Sequence, residues 1–396
     1  MNKKLVAVAV AGVLAAPLAA QAQTANVTLY GRLNLTAEVV NAQQSDGTKG
    51  NYFQVSTNSS RLGVRGTESL GGGLNAIFQI ESNVSADTGG GVLASRETFA
   101  GLQGSWGTFK IGNFLAPLDD LHPIFGNVPT LTTSLLSTAS VWAQGTLSKG
   151  AGGFDARLGN SVRYDSPSIS GFSFSTQVSQ LDASSGQGGI TYGSVATQRS
   201  HAYVWSSAGY YRNGPIQAGL AYEANNNVRG PGLDDYDASF AIGYQFSGWR
   251  PSFVYERLKY DVPTGDVKRD YYGVGLTLNI GPGQMYAYVA RANDGKGSAC
   301  DINEAGCSPA AGGVGGLYRG DNTAANEWEL SYTYPLSKRT LTYVGYHQIS
   351  NESSAGYNFN INPVQGVAPV CSAATAPGAT CGFKPKGFVV GLVHFF

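Results

Sequence analysis

Residues 387–396, GFVVGLVHFF, end the chain as a β-strand with an aromatic side chain at the free carboxylate. Phe388, Val390, Leu392, His394 and Phe396 alternate onto one face, the period-two pattern of a strand. A strand that stops at the last residue exposes unpaired backbone groups and needs a neighbour. Two arrangements answer this need: the edge of a soluble sandwich, or a closed membrane barrel in which the first strand pairs with the last. The rest of the chain decides between them.

At the other end, Lys3 and Lys4 precede an apolar run over residues 5–20 and the triplet Ala20-Gln21-Ala22, which has the layout of a secretory signal and its cleavage site. The apolar core is short and rich in alanine, whereas a spanning helix needs about 20 strongly apolar residues. We read residues 1–22 as a signal peptide and 23–396 as one exported domain. Beyond residue 23 no apolar run continues for ten residues, so membrane crossing requires strands closed into a barrel. Composition agrees: 54 Gly, 22 Tyr and 17 Phe beside two Met favour turns and aromatic strands over helices. Removing Lys3 and Lys4 from 26 basic residues leaves 24 against 26 acidic, a net charge of −2, which gives no footing for nucleic acid.

Seven tight Gly- or Pro-rich reversals can be read, at residues 70–73, 104–107, 167–171, 213–215, 247–249, 281–283 and 335–338. Eight longer connections centre near residues 45, 89, 135, 190, 229, 265, 309 and 367. Seven turns plus eight loops make fifteen connections and sixteen strands, with the short-long rhythm of an outer-membrane barrel. Alternation is clear over residues 27–39, where Val27, Leu29, Leu33, Leu35, Ala37 and Val39 oppose Thr28, Arg32, Asn34, Thr36 and Glu38. It recurs over 74–81, where Leu74, Ala76, Phe78 and Ile80 oppose Asn75, Gln79 and Glu81.

Specific stretches then carry a resemblance. They are VTLYGR (27–32), SSRLGVRGTESLGGG (59–73), AIFQIE (76–81), FAGLQGSWGTFKIG (99–112), NSVRYDSP (160–167) followed by GFSF (171–174), SKRTLTY (337–343) and the closing strand. The chain resembles the trimeric general-diffusion porins of β-proteobacteria, of the Neisseria and Comamonas type. The resemblance implies an all-β, 16-stranded antiparallel transmembrane barrel. It also implies a homotrimer in the outer membrane of a Gram-negative bacterium, among lipid and lipopolysaccharide, that passes small hydrophilic solutes and ions without a cofactor. Phe396 would be both the seam of the barrel and the signal read by the barrel-assembly machinery. The third external loop would fold inward as a constriction, here over about residues 113–158; connections beyond about 15 residues are uncommon unless functional.

Cost assigns the pore-facing residues, because Arg or Lys on the lipid face near the midplane costs roughly 2–4 kcal/mol. With Leu62 and Val64 toward lipid, Arg61 and Arg65 face the lumen; with Ala76, Phe78 and Ile80 toward lipid, so does Glu81. Counting back from the turn sets Arg61 across from Glu81, as a structural ion pair or as part of the constriction. Arg32 and Arg163 fall on polar faces, the latter with Val162 and Tyr164 outward. Arg96 shares the parity of Ala100 and Leu102 and is expected to point outward. Asp119 and Asp120 are either solvated loop carboxylates or the acidic side of a transverse field facing Arg32, Arg61 and Arg65. The closing strand offers Val389, Val393 and Phe395 to the lumen, where the family usually carries basic residues, so weak selectivity is expected and the favoured sign of ion stays open.

The four cysteines fall in the last two external loops. Of three possible connectivities, the local pairs Cys300 with Cys307 and Cys371 with Cys381 are favoured. Neither loop has a His beside its Cys, and no usual zinc spacing occurs. An outer-membrane hydrolase would need a nucleophile and base gathered on one rim. His122, His201, His347 and His394 are scattered instead, and no nucleophile-elbow or zincin motif is present. A substrate-specific channel for a sugar or organic acid is the main alternative to general diffusion, and a surface adhesin or structural barrel the third.

Overall fold

The computed structural model describes residues 26–43, 49–126, 135–144, 153–181, 201–360 and 381–396; the signal segment expected at 1–22 lies outside them. The wall consists of β1 (Asn26–Gln43), β2 (Lys49–Thr57 continued by Arg61–Gly71), β3 (Leu74–Val84), β4 (Thr98–Gly104), β5 (Gly107–Leu115), β6 (Arg157–Asp165), β7 (Phe172–Gln180) and β8 (Tyr203–Asn213). It continues as β9 (Ile216–Asn226), β10 (Asp235–Tyr244), β11 (Trp249–Val262), β12 (Gly265–Ile280), β13 (Gly283–Ala292), β14 (Ala325–Pro335), β15 (Thr340–Asn351) and β16 (Lys384–Phe395). Each wall strand pairs antiparallel with its chain neighbours. β1 also pairs with β16, from Arg32 opposite Phe395 to Gln43 opposite Lys384, so the sheet closes on itself. At this seam Gly31 N–H donates to Phe396 O at 3.0 Å, and a Cβ on Gly31 would meet the Phe396 ring at 2.3 Å. Glycine at position 31 thus makes room for the terminal aromatic.

Period-two alternation sorts the side chains as the sequence predicts. Leu29, Val39, Leu62, Ile80, Val162, Val390 and Leu392 are exposed on the outer surface, while Arg32, Asn34, Glu38, Glu81 and Arg163 are buried inside. Aromatic pairs form belts near both strand ends, such as Phe246 on Trp249 at one and Trp205 beside Tyr222 at the other. Rings with an apolar body and a polar tip suit the two membrane interfaces. All seven tight reversals occur where expected.

One longer connection does not: near residue 265 only Pro263 and Thr264 separate β11 from β12. These strands, 14 and 16 residues long, run past the hydrocarbon layer as a hairpin. Outward Lys259 and Lys268 there pair with Asp261 and Asp266, so polar residues that read as loop belong to a solvated ladder.

The principal buried cluster lies inside the barrel. Phe125, Leu135, Leu136, Trp142 and Phe154, from the connection between β5 and β6, pack with inward Tyr260, Tyr271, Tyr286, Tyr288, Val389 and Val393.

Candidate functional site

The connection over residues 116–156 is the third loop, and its backbone is fastened to the inner wall. It starts with a 3-10 turn, Pro117–Leu121, and a helical turn, His122–Phe125. Tyr210 OH donates to Pro117 O (3.0 Å), Tyr286 OH to Phe125 O (3.0 Å), and Arg250 to Ile124 O (2.9 Å) and Gly126 O (2.8 Å). Further along, Trp142 Nε1 donates to Ser239 Oγ (3.0 Å) and Ala143 N–H to Glu256 Oε1 (2.6 Å), while His347 bonds Leu135 O. Inward glycines give the loop room. A Cβ on Gly273 would lie 2.9 Å from Phe125 Cζ, on Gly345 2.7 Å from Leu136 Cδ1, and on Gly387 2.5 Å from Leu135 Cδ1. The loop therefore covers the inner face from β8 to β16.

The other side of the interior, β1 to β6, is basic. Glu81 is 4% exposed and lies 2.7 Å from Arg96 Nε, 3.4 Å from Arg61 Nη1 and 3.0 Å from the Tyr30 hydroxyl. Arg32 Nη2 donates to the carbonyls of Asn58 and Ser59 (3.2 Å each) and feels the repulsion of Arg61 and Arg96; Arg157, at the start of β6, repels Arg96. Glu81 thus sits between Arg61 and Arg96, with Arg32 and Arg157 within electrostatic reach of Arg96. Arg65 lies further along the wall, more exposed, over the Tyr30 ring at 4.9 Å.

Three sequence expectations need correction here. Gly63, not Arg61, sits directly across from Glu81, and Arg61 faces Asn83. A register shift between Ser69 and Gly71 adds to the turn, and the long Arg61 side chain reaches Glu81 diagonally. Arg96 points inward to Glu81, because β4 begins only at Thr98 and residues 96–97 form a bend, so the parity counted back from Leu102 stops short of it. Asp120 is not set across a gap from Arg32, Arg61 and Arg65. It binds Arg163 Nη2 at 2.6 Å and accepts from Tyr210 OH at 3.2 Å, where Arg163 also holds Asp165 at 2.8 Å.

Asp119 is turned away as well, toward Asp155 and His122 at the loop's returning stem. Burial, reinforced by the neighbouring carboxylates, pushes Asp119 well above the ordinary carboxylate range. Burial likewise raises Asp155 to about 7, and it lowers His122. The pair therefore favours a shared proton at neutral pH over two charges.

Other inward residues were not singled out from the sequence: Arg269 and the carboxylates Glu223, Asp237, Glu256, Glu327 and Glu329. Strand parity was the available signal for all of them. His347, inward on β15, lies 3.4 Å from Glu327 and supports the loop, whereas His201 sits exposed just before β8. Cys300 and Cys307 form the expected disulfide, with Cα atoms 5.7 Å apart. Cys381 is also disulfide-bonded and packs beside that pair; Cys371 falls outside the described residues.

A closed barrel with apolar outer face, charged interior and inward loop defines a membrane channel. The family model for Gram-negative porins matches residues 7–354, and the chain belongs to that family. Outer membrane porin protein 32 of Delftia acidovorans is 26% identical over the full length of both chains. An outer membrane porin protein of Bordetella pertussis is 28% identical over 87% of this chain and 93% of that one. Among solved structures, the anion-selective porin from Comamonas acidovorans superposes with a TM-score of 0.66 at 23% identity, covering 94% of this chain and all of the other. The chain is an outer-membrane porin, a water-filled channel for passive diffusion of small hydrophilic solutes and ions.

Proposed function

We propose that this porin works as a homotrimer whose pores prefer anions. The observation that carries the preference is the row of Arg32, Arg61, Arg96 and Arg157, mutually repelling, with Glu81 paired to Arg61 and Arg96, on the wall facing the loop. Four positive charges less one negative leave three. In a narrow passage with low-dielectric walls such an excess concentrates anions and repels cations. Two relatives support the reading by what their descriptions say of them: the Comamonas porin is anion-selective and the Vibrio cholerae OmpT has a trimer form. Residues 1–22 act as the export signal, and lipopolysaccharide and the barrel-assembly machinery are the partners outside and at Phe396.

A channel dedicated to sugars would line an open path with aromatic rings. Tyr260, Tyr271, Tyr286 and Tyr288 instead lie at or below 2% exposure beneath the loop, which favours general diffusion. Reversal potentials in asymmetric KCl across planar bilayers test the proposal. Arg61→Ala should move the potential toward cation preference and Glu81→Gln toward stronger anion preference. Wild-type protein with a cation-selective potential would refute it, as would two variants that leave the potential where it was.

A further inference from the structure

The two stems of the constriction loop meet at a cluster that the arginine wall does not use. Asp119 and His122 lie on the first stem and Asp155 on the returning one, and one ligating atom from each is within 4.8 Å of the other two. His122 Nε2 sits 2.9 Å from Asp155 Oδ2, and Asp119 hydrogen-bonds Asp155. The other ring nitrogen, Nδ1, is 3.2 Å from Thr138 Oγ1, and the Trp142 ring packs against the imidazole with centroids 4.0 Å apart. These contacts lock the ring with Nε2 aimed at the carboxylates. His122 is only 5% exposed, and neither its Nε2 nor Asp155 Oδ1 makes a hydrogen bond of regular geometry. Glu256 adds negative potential at His122, and Glu223 and Asp120 add it at Asp155, with Arg157 opposing. Lone pairs crowded in a largely buried spot call for positive charge between them.

We infer that Asp119, His122 and Asp155 bind one divalent metal ion that staples the loop at its root. One imidazole with two carboxylates suits a borderline ion such as Zn2+, whereas Mg2+ and Ca2+ favour sites built of oxygen alone. Bonds of about 2.0–2.2 Å from a tetrahedral zinc set neighbouring donors about 3.3 Å apart. The observed spacing reaches that with side-chain adjustments of about an ångström, and water takes the fourth position. Thr138 supplies the second hydrogen bond that metal-bound histidines characteristically make. Asp119 and Asp155 are partly exposed, which leaves an entry path. The ion would join residues 33 apart in sequence (155 less 122) and hold the stems together, thereby limiting how far the loop swings over the arginine wall.

The test uses the refolded full-length trimer, stripped with EDTA and titrated with ZnCl2. Metal content, calorimetry and heat dissociation of the trimer are measured. We expect one zinc per chain, a raised dissociation temperature, and affinity at least tenfold weaker in His122→Ala and in the near-isosteric Asp155→Asn. His201→Ala, which alters an exposed histidine elsewhere, should bind as wild type does. Quieter open-channel current with zinc, in wild type and not in Asp155→Asn, would further support the staple. Wild type that takes up no zinc overturns the inference and leaves the shared proton as the cluster's only positive charge, and so does Asp155→Asn that binds zinc undiminished. If His122→Ala fails to form trimers, Asp155→Asn decides.

Discussion

Along β1 to β6 the inward positions carry Arg32, Arg61, Arg96 and Arg157, with Glu81 paired to Arg61 and Arg96. From β8 to β16 the equivalent positions carry glycines, tyrosines and buried carboxylates that receive the third loop. Both halves point into the barrel, but in this architecture inward is not the same as pore-lining. The closing strand illustrates the difference. Val389 and Val393 replace the basic residues usual in the family, which on sequence grounds argued for weak selectivity. Both are 0% exposed and belong to the cluster around Leu135, Leu136 and Trp142. Their apolar character reflects burial in the cluster that also holds the loop's Leu135 and Leu136, and says little about the ions that pass the opposite wall.

The sharpest attempt to break this contrast is Val393→Arg. If Val393 lined open water, the added cation would strengthen anion preference at little cost. Buried as it is beside Leu341 and Asn34, the variant should instead lose about 3–5 kcal/mol, the usual penalty for an uncompensated buried charge. Urea unfolding of the purified protein distinguishes the two outcomes. Gly273→Leu attacks the loop seat by steric means. Its Cβ would press on Phe125, and we expect about 2 kcal/mol of overpacking cost and an altered conductance in single-channel records. Gly209→Leu, on the outer face with no atom within 4 Å of its Cβ, should leave conductance unchanged.

On the basic half, Arg61→Ser combined with Arg96→Ser should leave the barrel folded and reduce selectivity. At about 8 Å and an effective dielectric near 20, one charge contributes about 2 kcal/mol, which screening over a Debye length of about 8 Å cuts to about 0.8 kcal/mol. For each arginine removed, anion entry should therefore fall about fourfold and cation entry rise by the same factor, so the anion-to-cation permeability ratio read from reversal potentials at physiological salt falls about fifteenfold. The smallest effect belongs to the external loops. Cys300→Ser with Cys307→Ser should leave conductance and reversal potential at wild-type values while speeding proteolysis of the loop between β13 and β14.

Much of this was readable from the chain. Seven turn signals, strict alternation and the Phe396 terminus specify the barrel, because each depends on residues within a few positions of one another. The solvated hairpin around residue 265 escaped, since a polar strand beyond the membrane has a loop's composition. Arg96 escaped because parity holds only within a strand, and the chain bends at 96–97 before β4 begins at Thr98. Asp119 and Asp120 were expected to face Arg32, Arg61 and Arg65, and Asp155 on the same loop was not marked. The observed partners of the two, Asp155 and Arg163, lie 36 and 43 residues away (155 less 119, 163 less 120), and no local pattern carries that information.

The sequence by itself determined a sixteen-stranded exported barrel and, in the strands with clear alternation, which face meets lipid and which turns inward. Only the tertiary structure decided how the interior is divided between arginine wall and loop seat. The physical reason is the range of the contacts. Alternation is enforced residue by residue through the cost of putting charge in lipid. The landing place of the third loop, by contrast, rests on pairs such as Trp142 with Ser239 and Phe125 with Tyr286, 97 and 161 residues apart.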